Sequence, residues 1–233
     1  GEKIDKQIAN LKRTTHIVVA TPGRLIDLVS KKALDLTRVK TVVLDECDEM
    51  LSMGFKKELD EILKFLPEVQ SKWLFSATMP NGIKQMVHEH LTINSHRITV
   101  NRGNEVNSKI DHKFILCDDS EKFYALLKFL NSVKNKRGII FCRTRNSTQK
   151  VANQLISKNI AADAIHGDLL QKERDKVMRA FKKENLSTIV ATDIAARGID
   201  IADLAFVVHY QLPDKDEYYT HRSGRTARAG KNG

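Results

Sequence analysis

Short aliphatic runs alternate along the chain with longer stretches in which apolar residues recur three and four positions apart. The aliphatic runs are continuous, which is typical of strands covered on both faces in a parallel sheet. The longer stretches have the period of amphipathic helices. The predicted strands are 16–21, 41–45, 73–77, 137–142, 161–166, 188–192 and 205–210, and the predicted helices are 25–34, 58–66, 122–133, 148–158 and 173–184. The pattern predicts an α/β protein with parallel sheets flanked by helices.

One polar segment interrupts the series. Residues 101–111, "NRGNEVNSKID", have no clear period, and the alternation restarts at 112–117, "HKFILC". A segment of this kind is typical of a linker between domains, although a long surface loop within one domain is the alternative. We therefore predict a first domain over 1–101, a linker over 102–111 and a second domain over 112–233.

Charge and cysteine content limit the kinds of partner and site that the chain can have. The 233 residues carry 39 Lys and Arg against 29 Asp and Glu, so a net charge of +10 favours an anionic partner: nucleic acid, nucleotide or a membrane surface. No apolar run has the length of a membrane span, and the start of the chain has no signal-peptide pattern. Three scattered cysteines without a C-x-x-C pair indicate reduced thiols and argue against zinc.

Polar loops follow six of the predicted strands. Ligands of parallel α/β sheets bind at the carboxyl ends of the strands, so these loops are expected to form a shared binding surface. They are rich in Asp, Glu, Arg, Ser, Thr and Gly, and they comprise 21–24, 45–50, 76–80, 142–147, 166–174 and 192–200.

The stretch "VVLDECDEM", residues 42–50, packs four carboxylates where a buried strand ends. An aliphatic strand followed by Asp-Glu has the form of a Walker B element, in which Asp45 would hold Mg²⁺ and Glu46 would orient a water on a nucleoside triphosphate. A bound cation would relieve the repulsion among these carboxylates. The alternative is that the acids only cap a helix N-terminus.

A second cluster, "HRSGRTARAGKNG", lies at 221–233. His221, Arg225 and Arg228 are spaced so that a helix would place them on one face, with Arg222 beside them. Arg offers a planar fork for phosphate oxygens, and the small residues between permit close approach. The cluster predicts an anion-binding face, with a solvated basic face as the alternative.

Several motifs occur in the order found in one family: TPGR at 21–24, DECD at 45–48, SAT at 76–78, IIFCRT at 139–144, Q-K-E-R at 171–174, ATDIAARGID at 191–200 and HRSGRTAR at 221–228. The chain resembles the DEAD-box RNA helicases of helicase superfamily two, with DECD in place of DEAD. The resemblance spans nearly the whole chain. It implies two RecA-like domains with ATP and Mg²⁺ between them, and single-stranded RNA held across both.

The resemblance also implies individual roles. Asp45 would bind Mg²⁺, through water, and Glu46 would activate the attacking water, while Asp48 would couple to Ser76, Thr78 and His221. Arg225 and Arg228 would contact the γ-phosphate, and Asp200 and Gly198 would bind the nucleotide. RNA phosphates and sugars would be held by Thr21, Pro22, Gly23, Arg24, Gly167, Gln171, Arg174 and Thr192. None of these loops carries an aromatic residue to stack a base, so binding is expected to be independent of RNA sequence.

Two departures from the family pattern matter. Cys47 replaces the family's Ala, and among carboxylates its thiol is expected to stay protonated and inert. No G-x-x-x-x-G-K-[ST] string, the phosphate cradle of the family, occurs in the 233 residues, so the first domain is expected to lack its N-terminal part.

The sequence thus predicts part of an ATP-dependent RNA helicase that clamps and locally unwinds RNA duplexes. We expect a cytoplasmic monomer of bacterial type, and a nuclear location is the alternative for a eukaryotic protein. For the chain alone, an RNA-binding clamp without ATPase activity is the alternative. A metal-dependent nuclease is less favoured, and DNA as the substrate stays open, because composition does not distinguish it from RNA.

Overall fold

The computed structural model describes residues 2–91, 95–99, 109–134, 136–196, 204–227 and 232–233. The chain divides into two compact units, Glu2–Thr99 and Val100–Gly233. Among the described residues, no helix is both long and apolar enough to span a bilayer.

The first unit holds a pair of parallel strands with helices around them. Its elements are α1 Ile4–Leu11, α2 Pro22–Ser30, β1 Thr41–Leu44, α3 Cys47–Ser52, α4 Lys56–Lys64, β2 Ser71–Leu74 and α5 Asn81–His90. β1 and β2 are in register, with Leu44 opposite Leu74, so both strands end at the same edge. Buried side chains of α3, α4 and α5, among them Leu59, Ile83 and Met86, form one core cluster near this edge.

The second unit is a four-stranded parallel sheet covered on both faces. Its elements are α6 Lys122–Ser132, β3 Gly138–Phe141, α7 Arg145–Ser157, β4 Ala162–Ile165, α8 Gln171–Lys182, β5 Thr188–Ala191, α9 Asp193–Ala196, β6 Phe206–His209 and α10 Asp216–Ser223. The strand order is β4-β5-β3-β6. Alternate residues of the strands pack against α8 on one face, and against α6 and α7 on the other. The continuous aliphatic runs are therefore explained by burial on both faces.

The predicted strand 16–21 is absent from the structure, and so is a strand at 112–117, where the alternation was expected to restart. Residues 16–21 and 112–117 form no ladder with any described residue. Ile17 and Val19 are 82% and 93% exposed, and Phe114 and Leu116 are 84% and 89% exposed. An apolar run forms a strand only where a neighbouring backbone supplies hydrogen bonds, and sequence composition does not show whether that neighbour exists.

Candidate functional site

At the acidic strand end of the first unit, the backbone after β1 is hydrogen-bonded to Phe75, the residue that follows β2. The amide of Phe75 donates to the Leu44 carbonyl at 2.8 Å, and the amide of Cys47 donates to the Phe75 carbonyl at 3.0 Å. Between them Glu46 adopts a left-handed conformation with φ 50°, which costs a non-glycine residue about 1 kcal/mol. The turn leaves Asp45 and Glu46 exposed at the sheet edge, where Asp45 Oδ1 accepts only the neighbouring Glu46 amide, at 2.9 Å, among the described residues.

Asp48 is bound to the loop that follows β2. Its Oδ2 accepts hydrogen bonds from both the amide and the hydroxyl of Thr78, each at 2.8 Å. The Ser76 hydroxyl donates to the Thr78 carbonyl at 2.6 Å and not to Asp48. Asp48 and Thr78 are thus brought together as the resemblance implied, whereas Ser76 shapes the loop. His221 belongs to the second unit.

Cys47 and Glu49, which flank Asp48, are buried. Cys47 packs its sulfur 3.4 Å from that of Met86, and burial, followed by the charge of Asp48, raises the pKa of the thiol to about 11. An inert thiol was expected at this position. Glu49 is buried and accepts a hydrogen bond from the Ser52 hydroxyl at 3.0 Å. Of the four carboxylates, only Asp45 and Glu46 are therefore displayed.

The TPGR motif opens α2. Thr21 is the extended N-cap residue and Pro22 occupies the first turn. The amides of a first helical turn have no partner within the helix, and nothing lies within 4 Å of a side chain built at Gly23. Arg24 instead donates to Gln7 Oε1 at 2.7 Å and to the Glu2 carbonyl at 3.3 Å, so it anchors α1.

In the second unit, four of the residues predicted to bind RNA lie along one stretch of the sheet edge. Gly167 and Thr192 follow the neighbouring strands β4 and β5, which pair Ile165 with Ala191. Gln171 begins α8. One turn later, Arg174 donates to the Ala195 carbonyl of α9 at 2.8 Å. The structure therefore brings these residues together, although Arg174 also serves the packing of α8 against α9.

Arg145 and Asp168 lie at the same edge and were not identified as candidate site residues from the sequence. Arg145 forms a short ion pair with Asp168, and its guanidinium lies 3.5 Å from where a side chain at Gly167 would begin. Both residues lie in strand-end loops that the sequence did identify. Their pairing across 23 positions is a tertiary contact that local spacing does not reveal.

The prediction that Arg222 lies beside an anion-binding face is wrong. Its side chain is 1% exposed and donates through Nε and Nη2 to the two carboxylate oxygens of Asp193, at 2.5 and 2.8 Å. Nη1 donates to the Gln211 carbonyl at 2.7 Å, and the guanidinium lies 5.1 Å from the centre of the Phe141 ring. Arg222 is the internal tie between α10, α9 and the ends of β3 and β6.

The prediction of a single helix through His221 and Arg225 is also wrong. α10 ends at Ser223 with Gly224 as its C-cap, and Arg225 lies in the turn that follows. Ala227 has φ 53°, a conformation incompatible with a continuing helix. Arg228, Gly198 and Asp200 lie outside the described residues.

A group of aromatic and imidazole rings fixes α10 from the other side. His209, at the end of β6, stacks on Tyr219 with ring centres 4.4 Å apart, and its Nε2 lies 3.2 Å from the Ser223 hydroxyl. The Tyr219 hydroxyl is also hydrogen-bonded to His112 Nδ1, at 2.6 Å. Burial, reinforced by the charge of Arg222, lowers the pKa of His209 to about 4, so the ring is neutral at physiological pH.

Within the described residues, one group of side chains has the spacing of a metal site: Asp60, Glu89 and His90. The Lys56 ammonium already bridges it, at 3.1 Å from Asp60 and 3.2 Å from Glu89. This group therefore joins α4 to α5 as an ion-pair network, in contrast to Asp45 and Glu46, which have no cation beside them in the part of the chain that the structure describes.

Comparison with known proteins agrees with this geometry. Residues 1–86 match the family model of the DEAD/DEAH box helicases, and residues 121–230 match that of the helicase conserved C-terminal domain. A solved structure of a hypothetical ATP-dependent RNA helicase from Sulfolobus tokodaii is 34% identical over the whole chain, which covers 67% of that protein, with a TM-score of 0.52. The chain belongs to the DEAD-box helicase family.

Other DEAD-box helicases match as well. The RNA helicase CshA of Bacillus cereus is 40% identical over all 233 residues, which cover 44% of its length. The structure of yeast Dbp5 bound to RNA and ADP BeF3 is 31% identical, with a TM-score of 0.77 over 91% of this chain and 56% of that one. The α/β fold is therefore RecA-like, and the chain spans less than half the length of its curated relative.

Proposed function

We propose that the protein containing this chain is an ATP-dependent RNA helicase, which couples ATP binding and hydrolysis to clamping and local unwinding of RNA. One observation carries the proposal. Asp48 and Glu49 are held by neighbouring groups, whereas Asp45 and Glu46 are exposed at the carboxyl end of a parallel strand. A cluster that only capped a helix would not need a strained turn to display two carboxylates.

The displayed pair fits a magnesium ion. Carboxylate oxygens are the ligands that Mg²⁺ prefers, and it commonly retains several waters and uses one or two carboxylates. Asp45 would hold the hydrated ion, which when bound supplies positive charge to the phosphates of ATP. Glu46, the next residue, would accept a proton from a water directed at the γ-phosphate.

Asp48 and Thr78 connect this edge to the loop after β2. Because Thr78 is held through both its amide and its hydroxyl, a shift of α3 on nucleotide binding would move the SAT loop with it. We propose that His221 joins Asp48 in this link, that Arg225 and Arg228 bind the γ-phosphate, and that Asp200 and Gly198 contact the nucleotide.

RNA is proposed to bind the strand-end loops of both units. The first unit offers the N-terminal turn of α2 with Thr21, Pro22, Gly23 and Arg24, and the second offers Gly167, Gln171, Arg174 and Thr192. Amides, hydroxyls and guanidinium groups recognise phosphate and sugar and carry no sequence information. Binding is therefore expected to be independent of base sequence and to weaken as salt rises. We also propose domain limits of 1–101 and 112–233 joined by the linker 102–111.

For the 233 residues alone we propose RNA binding without ATP hydrolysis, because no phosphate-cradling G-x-x-x-x-G-K-[ST] string occurs in them. Fluorescence anisotropy with a labelled single-stranded RNA should show salt-sensitive binding that ATP and Mg²⁺ do not strengthen. Tightening by ATP would contradict this part of the proposal.

The test of the catalytic assignment is Glu46→Gln in the whole protein. The substitution keeps the size of the side chain and removes the proton acceptor, so RNA-stimulated hydrolysis should fall by about 10²-fold or more while ATP binding is retained. Glu61→Gln, an exposed carboxylate of α4, is the matched control and should hydrolyse ATP at the unsubstituted rate. Near-normal turnover by the Glu46 variant would remove Glu46 from this role.

A further inference from the structure

The exposed side of α8 carries a row of cations. Lys172, Lys176, Arg179 and Lys183 are spaced by four, three and four residues, so they follow one face of the helix and its C-cap, and all four are exposed. The opposite face, with Phe181 and its neighbours, is buried against the sheet. We call these four residues the basic stripe.

The two carboxylates within α8 that flank the basic stripe in sequence accept hydrogen bonds from other groups. Glu173 accepts the Leu170 amide at 2.7 Å, and Asp175 accepts the Gln171 side chain at 2.8 Å. Among the described residues, no cation of the stripe forms an ion pair. Like charges three and four apart destabilise a helix, so the stripe is not explained by the stability of α8 and is available to an anion.

The position of the stripe indicates which anion. It starts one residue after Gln171, at the edge where Gly167 and Thr192 lie, and runs along α8 for about 16 Å at 1.5 Å per residue. It is thus continuous with the surface proposed above for RNA. It carries single Lys and Arg charges and no aromatic residue, a composition suited to phosphates and not to bases.

We propose that the basic stripe binds the phosphate backbone of RNA that extends beyond the strand-end site of the second unit. This inference rests on the proposed RNA binding and adds a second contact region on the flank of the unit. At about 3.4 Å per nucleotide along a stacked strand, the stripe spans four or five phosphates. RNA long enough to reach it should bind more tightly than RNA that fills only the strand-end site.

The test compares two labelled single-stranded RNAs, of about six and about eighteen nucleotides, by fluorescence anisotropy over a series of salt concentrations. The stripe variant is K172Q/K176Q/R179Q. The matched control is K128Q/K134Q/K158Q, which removes the same charge from exposed positions in α6 and just after α6 and α7, on the other face of the sheet. Circular dichroism checks that both variants are folded.

For the stripe variant, affinity for the longer RNA should fall about tenfold, and the slope of log affinity against log salt should lose about two, at 0.7 per phosphate contact. Affinity for the short RNA should stay within about twofold. For the control variant, the affinities for the short and the long RNA should fall by the same small factor. Equal loss for both lengths in the stripe variant, or equal effects of the two variants, would overturn the stripe assignment.

Failure of the underlying RNA site gives a different result. Gln171→Ala, at the strand-end site, should weaken the short and the long RNA alike. If the unsubstituted chain binds neither RNA, the proposed RNA surface is wrong and the stripe assignment falls with it. If it binds both RNAs equally and the stripe variant does the same, only the stripe assignment is wrong.

Discussion

The buried ion pair between Arg222 and Asp193 gives the sharpest test of the second unit. Arg222→Met keeps the length and the apolar stem of the side chain and removes its three hydrogen bonds to Asp193 and Gln211. It leaves the Asp193 carboxylate without its partner. Because α9, α10 and the end of β6 meet at this guanidinium, the loss should destabilise the unit as a whole.

The expected cost follows from burial. Removing one partner of a buried pair usually costs about 3–5 kcal/mol. The Asp193 side chain is 21% exposed, so water can reach the abandoned carboxylate, and we expect the lower end of that range, about 3 kcal/mol. With a urea dependence near 2 kcal/mol per molar, the unfolding midpoint of the second unit should fall by about 1.5 M.

Two probes separate the units in a urea titration. Trp73, the only tryptophan, lies in the first unit, so its fluorescence follows that unit. Far-ultraviolet circular dichroism follows both. The substitution should lower the urea midpoint of the second unit, which is seen by circular dichroism and not by the Trp73 fluorescence.

Arg143→Met is the matched control. Arg143 pairs with Asp214 at 2.9 Å, but the two side chains are 53% and 74% exposed, so its removal should cost no more than about 0.5 kcal/mol. If Arg222→Met shifted the midpoint no further than Arg143→Met, the guanidinium would not be the tie between these elements.

Two further predictions follow from perturbed side chains. The pKa of His209 is about 4 in the folded chain against an ordinary value of 6.5. As the pH falls from 6.5 to about 4, the unfolded chain is protonated first, so the free energy of unfolding should fall by at most about 3 kcal/mol. Denaturation at several pH values should show this pH dependence reduced in His209→Gln and unchanged in His88→Gln, and identical pH dependence in both variants would refute the prediction. Burial raises the pKa of Cys47 to about 11 and that of Cys142 to about 12, so iodoacetamide at neutral pH should label the partly exposed Cys117 first, and mass spectrometry showing early labelling of Cys47 would mean that α3 opens readily.

The four strands of the second unit could be read from the sequence because each is buried on both faces. β3, β4, β5 and β6 each lie within one residue of an aliphatic run at both ends, and α6, α7 and α8 carry the apolar period that covers them. The loops after these strands were found for the same reason, since a parallel sheet places its polar ends at one edge.

The runs at 16–21 and 112–117 show that an apolar run alone does not establish a strand. Like β3 and β5 they contain several apolar residues in succession, yet no described backbone pairs with them. Four helices, α1, α3, α5 and α9, were not predicted. The last three residues of α10 fall within a motif that was expected to continue as a helix, but the chain turns at Gly224.

The sequence by itself determined which residue types lie at the strand ends, because hydrophobic period and motif order are local properties of the chain. Tertiary structure alone decided what each side chain does there. Asp48 is held by Thr78, 30 residues away, Arg222 by Asp193, 29 residues away, and Arg24 by Gln7. Arg222 is therefore a buried tie and Arg24 a partly buried anchor of α1. A charge buried without a partner is too costly to keep, and only the fold determines which charges meet.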